Sequence, residues 1–218
     1  MTELAIDIVS DVVCPWCFIG KRRLEAALRG LRAERPDVVP TLRWLPYFLN
    51  PDTPDSGEPY RPFLEKKFGG PEKLALIWEQ IAVAGRTAGI EFAFERIEVR
   101  ANTLRAHRLI HRAQKAGNAD ALVERLFAAQ FLNGENVGDA GVLARLAGEC
   151  GEDEPAVLAY LHSEEDADDV RALAERGQRM GITGVPFFIL AGRLGIGGAQ
   201  PPEVLLDALR RTLLPPNP

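Results

Sequence analysis

The chain has 218 residues, 46% of them hydrophobic and 26% charged, which suffices for one core or for one core with an inserted lobe. The formal net charge is -5 and the basic residues are dispersed, so we do not expect nucleic acid as a partner. No segment approaches the roughly 20 apolar residues of a membrane helix, and the first residues lack an export signal. These features exclude a membrane partner and predict a cytoplasmic protein.

The N-terminal part of the chain has the pattern of a βαβ unit. Residues 4–9 alternate apolar and acidic side chains, which predicts a strand. Apolar residues then recur at helical spacing from 18 to 31, and Pro36 ends that helix. Residues 38–48 predict a second strand despite two prolines, and the proline-rich segment 50–59 predicts a loop at a domain boundary.

Residues 60–165 show helical patterns and predict no strand. The predicted helical segments are 72–88, 102–116, 120–132, 139–150 and a short helix that begins near Pro155. This part of the chain is therefore predicted to be an all-helical lobe.

The C-terminal part returns to strands. Its predicted elements are a helix at 168–180, a strand at 185–190, a turn at 192–193, an antiparallel return at 194–196 and a closing helix at 203–213. Neither end of the chain has enough strands to cover its own apolar faces, so both must contribute to one mixed sheet. The predicted class is α/β, with a discontinuous domain of residues 1–59 and 166–218 and a large helical insertion of residues 60–165.

Cys14 and Cys17 lie where the first strand passes into the first helix. Unpaired N–H groups and the helix dipole at that end favour a thiolate at Cys14. Cys17 lies one turn further on the same side, close enough for a disulfide and less exposed. Pro15 suits the first helical turn, and Trp16 adds an apolar contact surface. The pattern predicts thiol–disulfide exchange, with Cys14 as nucleophile and Cys17 as resolving cysteine.

A zinc half-site is the structural alternative, because cysteines with this spacing also bind metal. Such a site needs two more ligands, and the sequence offers His107, His111, His162 and Cys150 without a second paired motif. Cys150 lies on an apolar helical stripe and is explained as a buried small residue. We therefore expect neither a metal nor an organic cofactor.

Residues 181–187, GITGVPF, form a glycine-rich turn into an apolar strand, where Pro186 alone reads as a strand-start proline. Together with the CPWC motif, they make the chain resemble the DsbA-like branch of the thioredoxin superfamily. In that branch a Val-Pro dipeptide carries a cis peptide bond packed against the cysteines. The resemblance implies this arrangement for Val185 and Pro186, with the Val185 backbone free to pair with an extended substrate beside Cys14.

The resemblance extends to the FrnE-like proteins through residues 11–17 (DVVCPWC), 102–109 (NTLRAHRL) and 181–186 (GITGVP). It implies a thioredoxin-like fold that exchanges disulfides with cysteine-containing proteins or small thiols, glutathione among them. Some FrnE-like proteins carry another cysteine pair near the C-terminus, which this sequence lacks.

Two other functions stay open. The broader group includes 2-hydroxychromene-2-carboxylate isomerases and kappa-class glutathione transferases, which use a serine where this chain has Cys14. A glutathione-dependent isomerase or transferase is therefore the first alternative. A non-catalytic protein that binds a hydrophobic ligand in the same cleft is the second.

Four polar residues are further candidates for the site. The resemblance places Asn102 and His107 at a cleft between the lobes, although a helix N-cap and a structural histidine explain them more simply. Asp7 and Asp11 are the carboxylates nearest Cys14 in sequence, and each could exchange protons with the thiols or serve its strand or turn. The sequence specifies neither a monomer nor a homodimer.

Overall fold

The computed structural model of the protein describes residues 1–117 and 119–214, so the last four residues of the predicted domain segment 166–218 lie outside it. The strands are β1 (Thr2–Ser10), β2 (Val38–Pro46), β3 (Glu58–Pro59), β4 (Val99–Arg100), β5 (Phe187–Leu190) and β6 (Leu194–Gly197). The helices are α1 (Pro15–Glu34), α2 (Tyr60–Phe68), α3 (Pro71–Arg86), α4 (Leu104–Ala116), α5 (Ala119–Ala128), α6 (Ala140–Glu149), α7 (Glu154–His162), α8 (Ala167–Arg179) and α9 (Pro202–Leu213).

The larger sheet combines strands from both ends of the chain in the order β2-β1-β5-β6. β1 pairs in parallel with β2 and antiparallel with β5, and β6 returns antiparallel to β5. Leu4, Ile6 and Ile8 alternate along β1 and are fully buried, as the central position of this strand requires. α1 packs against α9, and α8 packs against β2. The predicted mixed sheet is confirmed.

Two predicted elements differ from the structure. Residues 60–165 were predicted to hold no strand, yet β4 lies there and pairs antiparallel with β3. A ladder of two residues is too short to leave an alternating pattern in the sequence. The helix predicted at 120–132 is α-helical only to Ala128, after which Ala129–Asn133 widens into a π-helix.

In chain order, helices α2 to α7 lie between strand β2 and strands β5 and β6, which agrees with the predicted helical insertion. One continuous set of buried apolar residues joins them to the sheet. Within it, Phe18 of α1 stacks on Phe127 of α5 with ring centroids 5.1 Å apart. The predicted α/β class with a mixed sheet is confirmed, while the division into two domains stays a prediction. Among the described residues, no helix has both the length and the apolar character needed to cross a membrane.

Candidate active site

Cys14 and Cys17 occupy the first turn of α1. Cys14 is the N-cap residue, with extended backbone angles of φ -98° and ψ 111°, and Pro15 takes the first helical position. The Cys17 N–H donates to the Cys14 carbonyl at 3.0 Å. Both cysteines are free thiols. Cys14 is 5% exposed and Cys17 is 1% exposed, so Cys14 is the more accessible of the two.

The surroundings of Cys17 keep it protonated. Burial raises the pKa of the Cys17 thiol well above its usual value, and Cys14 raises it further, both as a hydrogen-bond partner and as a charge. Hydrogen bonds from the Ser10 side chain and the Asp11 backbone act in the opposite direction but do not outweigh burial. At neutral pH, Cys17 is therefore a neutral thiol next to Cys14.

Val185 and Pro186 lie beside Cys14, although they are distant in sequence. The Val185–Pro186 peptide bond is cis. The Cys14 thiol donates to the Val185 carbonyl oxygen across 3.8 Å. The Pro186 carbonyl accepts the N–H of Gly198 at 2.8 Å, which holds this segment at the beginning of β5. The structure thus brings together the two motifs on which the resemblance depended.

Gly20 permits this close approach, and no motif in the sequence singled it out. A Cβ atom at Gly20 would come within 2.8 Å of Pro186 Cγ and 3.2 Å of Phe188 Cζ. Glycine inside a helix is unfavourable by about 1 kcal/mol relative to alanine. A glycine one turn after the second cysteine was therefore an available signal of tight packing.

Asp11 and His107 form a buried polar pair beneath the cysteine motif. Asp11 Oδ2 accepts the N–H of Leu49 at 2.8 Å, and Asp11 Oδ1 lies 3.3 Å from His107 Nε2. The same histidine nitrogen lies 3.1 Å from the Tyr47 carbonyl oxygen. The backbone carbonyl of Asp11 accepts the Cys14 N–H at 3.0 Å. These contacts join the loops after β1 and β2 to α4 and fix the backbone that carries Cys14.

Asp7 lies on the sheet and pairs with Arg43 of the neighbouring strand through two hydrogen bonds of 2.7 and 2.6 Å. The pKa of Cys17 is shifted by burial, by Cys14, by the Ser10 side chain and by the Asp11 backbone. The carboxylate side chains of Asp7 and Asp11 are not among these causes. The geometry therefore favours the structural explanation for the Asp7 and Asp11 side chains.

Asn102 lies at the beginning of α4, but it is not the N-cap residue that the sequence suggested. The N-cap is Thr103, which makes no side-chain cap bond. Asn102 Oδ1 instead accepts the N–H of Leu104 at 3.0 Å, and Asn102 Nδ2 donates to the Thr53 carbonyl at 2.8 Å. Asn102 thereby fastens the loop after β2 to α4.

Cys14 borders a cleft of about 360 Å³. The aromatic residues that line this cleft are Trp16, Tyr60, Phe63, Phe68, Trp78 and Phe94. Among the described residues, the charged side chains of the lining are Lys67 and Arg100, both positive. Burial and, after it, the charge of Cys14 raise the pKa of the Tyr60 phenol, which stays protonated. The sequence suggested Trp16 as a contact surface but did not predict the other five aromatic residues, because they come from separate elements.

Away from the cleft, His111, Asp166 and Asp169 place possible metal-ligating atoms within 4.8 Å of one another. Asp166 already accepts hydrogen bonds from Lys115 and from the Tyr160 hydroxyl, each at 2.9 Å. This cluster does not include the cysteines. Separately, Cys150 is the C-cap residue of α6 and is only partly buried, in contrast to its predicted burial.

The mixed sheet, the helical insertion and the adjacent Cys14 and Cys17 define the class of this protein as a DsbA-like thiol oxidoreductase fold. Residues 5–210 match the DSBA-like thioredoxin domain family, so the chain belongs to this family. It is 30% identical to the probable DsbA oxidoreductase SCO1869 from Streptomyces coelicolor, with a TM-score of 0.87 over 99% of this chain and 93% of that chain. It is 29% identical over 205 residues to the uncharacterized protein YwbO of Bacillus subtilis (strain 168), covering 94% of each.

Two further solved structures share the fold at lower identity. A 2-hydroxychromene-2-carboxylate isomerase is 18% identical, with a TM-score of 0.68 over 95% of both chains. The cytosolic disulfide reductase DsbM from Pseudomonas aeruginosa, with GSH, is 20% identical, with a TM-score of 0.68 over 96% of this chain and 98% of that chain. Such similarity shows the fold alone. Together, these matches confirm the DsbA-like resemblance of the sequence motifs.

Proposed function

We propose that this protein is a thiol–disulfide oxidoreductase whose redox-active centre is Cys14 and Cys17. The observation that carries the proposal is the difference between the two thiols. Cys14 caps the N-terminus of α1 and borders the cleft, whereas Cys17 is buried beneath it with a raised pKa. The first thiol must reach a substrate, and the second must react only after a mixed disulfide has formed.

Two exchange steps account for the chemistry. The Cys14 thiolate attacks one sulfur of a substrate disulfide, and the other substrate sulfur leaves as a thiolate. Cys17 then loses its proton and attacks Cys14, which releases the second substrate thiol and forms the Cys14–Cys17 disulfide. Two electrons pass from the protein to the substrate, and the reverse sequence oxidises a substrate dithiol. These steps need only the two cysteines.

The residues around Cys14 suit substrate contact. Pro15, Trp16 and Val185 line the cleft beside the Cys14 thiol. The contact between the Cys14 thiol and the Val185 carbonyl supports pairing of the Val185 backbone with an extended substrate segment, in a groove that Pro186 shapes. The proposed substrates are cysteine-containing proteins or small thiols, including glutathione. The fold shared with DsbM, described as cytosolic and solved with GSH, supports both this choice and a cytosolic location.

The fold shared with 2-hydroxychromene-2-carboxylate isomerase favours a second candidate, a glutathione-dependent isomerase or transferase. Such a reaction does not require a second thiol next to the first. The adjacent Cys17, with its hydrogen bond to Cys14, therefore supports disulfide exchange over isomerisation.

Equilibration in graded glutathione redox buffers tests the proposal. The purified protein is expected to show one reversible two-electron transition that involves Cys14 and Cys17, with Cys150 outside it, because only the first two thiols are adjacent. Thiol labelling and mass spectrometry report the state of each cysteine, and Cys150→Ser serves as the matched control. If Cys14 and Cys17 never form a disulfide, the oxidoreductase proposal is wrong and glutathione-dependent isomerase activity becomes the next assay.

The pKa of Cys17 predicts how pH controls the second step. With Cys14 held in a mixed disulfide, release of the substrate thiol should accelerate about tenfold per pH unit between about pH 6 and pH 9. Only the Cys17 thiolate attacks, and burial, the largest cause of its raised pKa, persists in the mixed disulfide. Rapid mixing of a Cys14–thionitrobenzoate adduct, followed by absorbance, measures the rate. A plateau below pH 8 would contradict the raised pKa.

A further inference from the structure

Two buried side chains that line the cleft have polar atoms without partners. Gln130 is 1% exposed, and its Oε1 atom has no hydrogen-bond partner among the described residues. Arg100 is 7% exposed, and within the same part of the chain its Nε atom is likewise unpartnered. An unsatisfied buried polar atom costs about 1–3 kcal/mol, so folded proteins keep few of them. Both atoms are themselves almost fully buried, so a group bound in the cleft reaches this acceptor and this donor only when the side chains turn toward it.

Arg100 is held in place, and its Nε–H group has no hydrogen-bond partner among the described residues. Its guanidinium carbon lies 3.7 Å from the centroid of the Phe63 ring, which fixes the plane of the group. Its Nη2 atom lies 3.4 Å from Glu58 Oε2, and Glu58 does not line the cleft. A guanidinium in this state matches a carboxylate, which accepts two parallel N–H bonds.

Gln130 owes its position to the π-helix at Ala129–Asn133. Single π-helical turns are uncommon and occur frequently at functional sites. The neighbouring residues Ala129 and Phe131 are fully buried apolar residues, so an amide here is not explained by solvent contact. When this side chain turns toward the cleft, its oxygen can accept a hydrogen bond from an N–H or O–H group of a ligand.

The rest of the lining limits what that ligand can be. Its walls are aromatic and aliphatic, its charges are Lys67 and Arg100, and no described acidic residue takes part. Positive charge in an apolar cleft attracts an apolar anion. The volume of about 360 Å³ lies at the lower end of the range for small-molecule sites.

We propose that the substrate is a small disulfide with an apolar or aromatic body, a carboxylate that binds Arg100 and an N–H group that donates to Gln130. This rests on the proposed function, because the substrate sulfur must reach Cys14 in the same cleft. One such disulfide oxidises the Cys14–Cys17 pair and leaves as two thiol molecules. Arg100 and Gln130 thus determine specificity, while the two cysteines carry out the exchange.

Two aromatic disulfides of opposite character test the role of Arg100. Dithiobis(nitrobenzoate) carries carboxylates, and dithiodipyridine is neutral. In a Cys150→Ser background, Arg100→Met should slow oxidation of the cysteine pair by dithiobis(nitrobenzoate) about tenfold or more, and by dithiodipyridine less than about twofold. Arg86→Met removes an exposed arginine of α3 and should change neither rate. Stopped-flow absorbance gives both rates.

A second pair of disulfides tests Gln130. Oxidised N-acetylcysteine carries an amide N–H as well as a carboxylate, whereas dithiodipropionate has only the carboxylate. Gln130→Met should slow the reaction with the first roughly fivefold and leave the second nearly unchanged, since one neutral hydrogen bond is lost. The same variant should unfold at a higher temperature than the parent, because its buried oxygen no longer lacks a partner. A purely structural role for Gln130 would instead lower the unfolding temperature.

The outcomes separate this inference from the proposed function. If no disulfide oxidises the Cys14–Cys17 pair, the proposed function is wrong. If all of them do, and Arg100→Met slows the charged and the neutral disulfide equally, exchange stands and the substrate assignment is overturned. Should Arg100→Met fail to fold, Arg100→Lys replaces it: this variant keeps the charge but loses the flat N–H edge, and it must still slow the charged disulfide selectively.

Discussion

Cys14→Ser is expected to reduce disulfide exchange to the uncatalysed background, a loss on the order of a thousandfold or more. The serine hydroxyl stays protonated at neutral pH and does not attack a disulfide. Cys17→Ser should leave the first step intact and accumulate a mixed disulfide on Cys14, because the thiol that resolves it is gone. Mass spectrometry of each variant after reaction with a cystine-containing peptide distinguishes the two: an adduct forms on Cys17→Ser and none on Cys14→Ser.

Cys150→Ser is the matched control, since it removes a thiol that is partly buried at the end of α6 and does not line the cleft. It should exchange disulfides at the parent rate. An adduct on the remaining Cys17 of Cys14→Ser, formed as fast as on Cys14 in the parent, would show that the roles of the two cysteines are reversed. Rapid release of the peptide by Cys17→Ser would show that no resolving thiol is needed.

The sequence was most informative where the relevant contacts are local. Cys14 and Cys17 are one helical turn apart, so their position at the strand-to-helix junction already predicted their adjacency. The Cys14–Val185 contact spans 171 residues and depends on the pairing of β1 with β5. No periodicity indicates such a contact, and only the resemblance of the motifs placed Pro186 at the site.

The specificity of the cleft was not predictable in the same way. Beyond Pro15, Trp16 and Val185, its lining is assembled from the loop after β2, helices α2 and α3, the segment around Phe94, the short strand β4 and the π-helix. A π-helix differs from an α-helix by one residue in a turn, which apolar spacing does not resolve. Gln130, a polar residue next to Phe131 in an otherwise apolar stripe, was the signal that the sequence offered.

The motif at residues 102–109 singled out Asn102 and His107 but did not decide between a functional and a structural role for them. The motif placed both residues near the site, and the structure gives each a partner in a neighbouring loop, Thr53 for Asn102 and Tyr47 for His107. Which backbone groups would accept or donate these bonds depends on how the loops fold, and the sequence does not encode that locally. Their contacts favour a role in holding the loops that position Cys14.

Phe18 links the active-site helix to the helical insertion. It follows Cys17 directly, is fully buried, and stacks on Phe127 with an interplanar angle of 8°. Its ring also meets the edge of Phe92 at a centroid distance of 6.2 Å. The cluster therefore joins α1, the segment after α3 and α5 in a single packed unit.

Phe18→Ala should lower the free energy of unfolding by about 3–5 kcal/mol, because it removes a ring from the centre of this unit and leaves a cavity. Chemical denaturation followed by circular dichroism measures the loss, and Leu76→Ala, at a 67% exposed position on α3, should change stability by less than about 0.5 kcal/mol. If the insertion and the sheet share one core, the variant still unfolds in one transition. Two separate transitions would mean that the insertion is an independent domain. A loss of stability below about 1 kcal/mol would mean that Phe18 contributes little to joining it to the sheet.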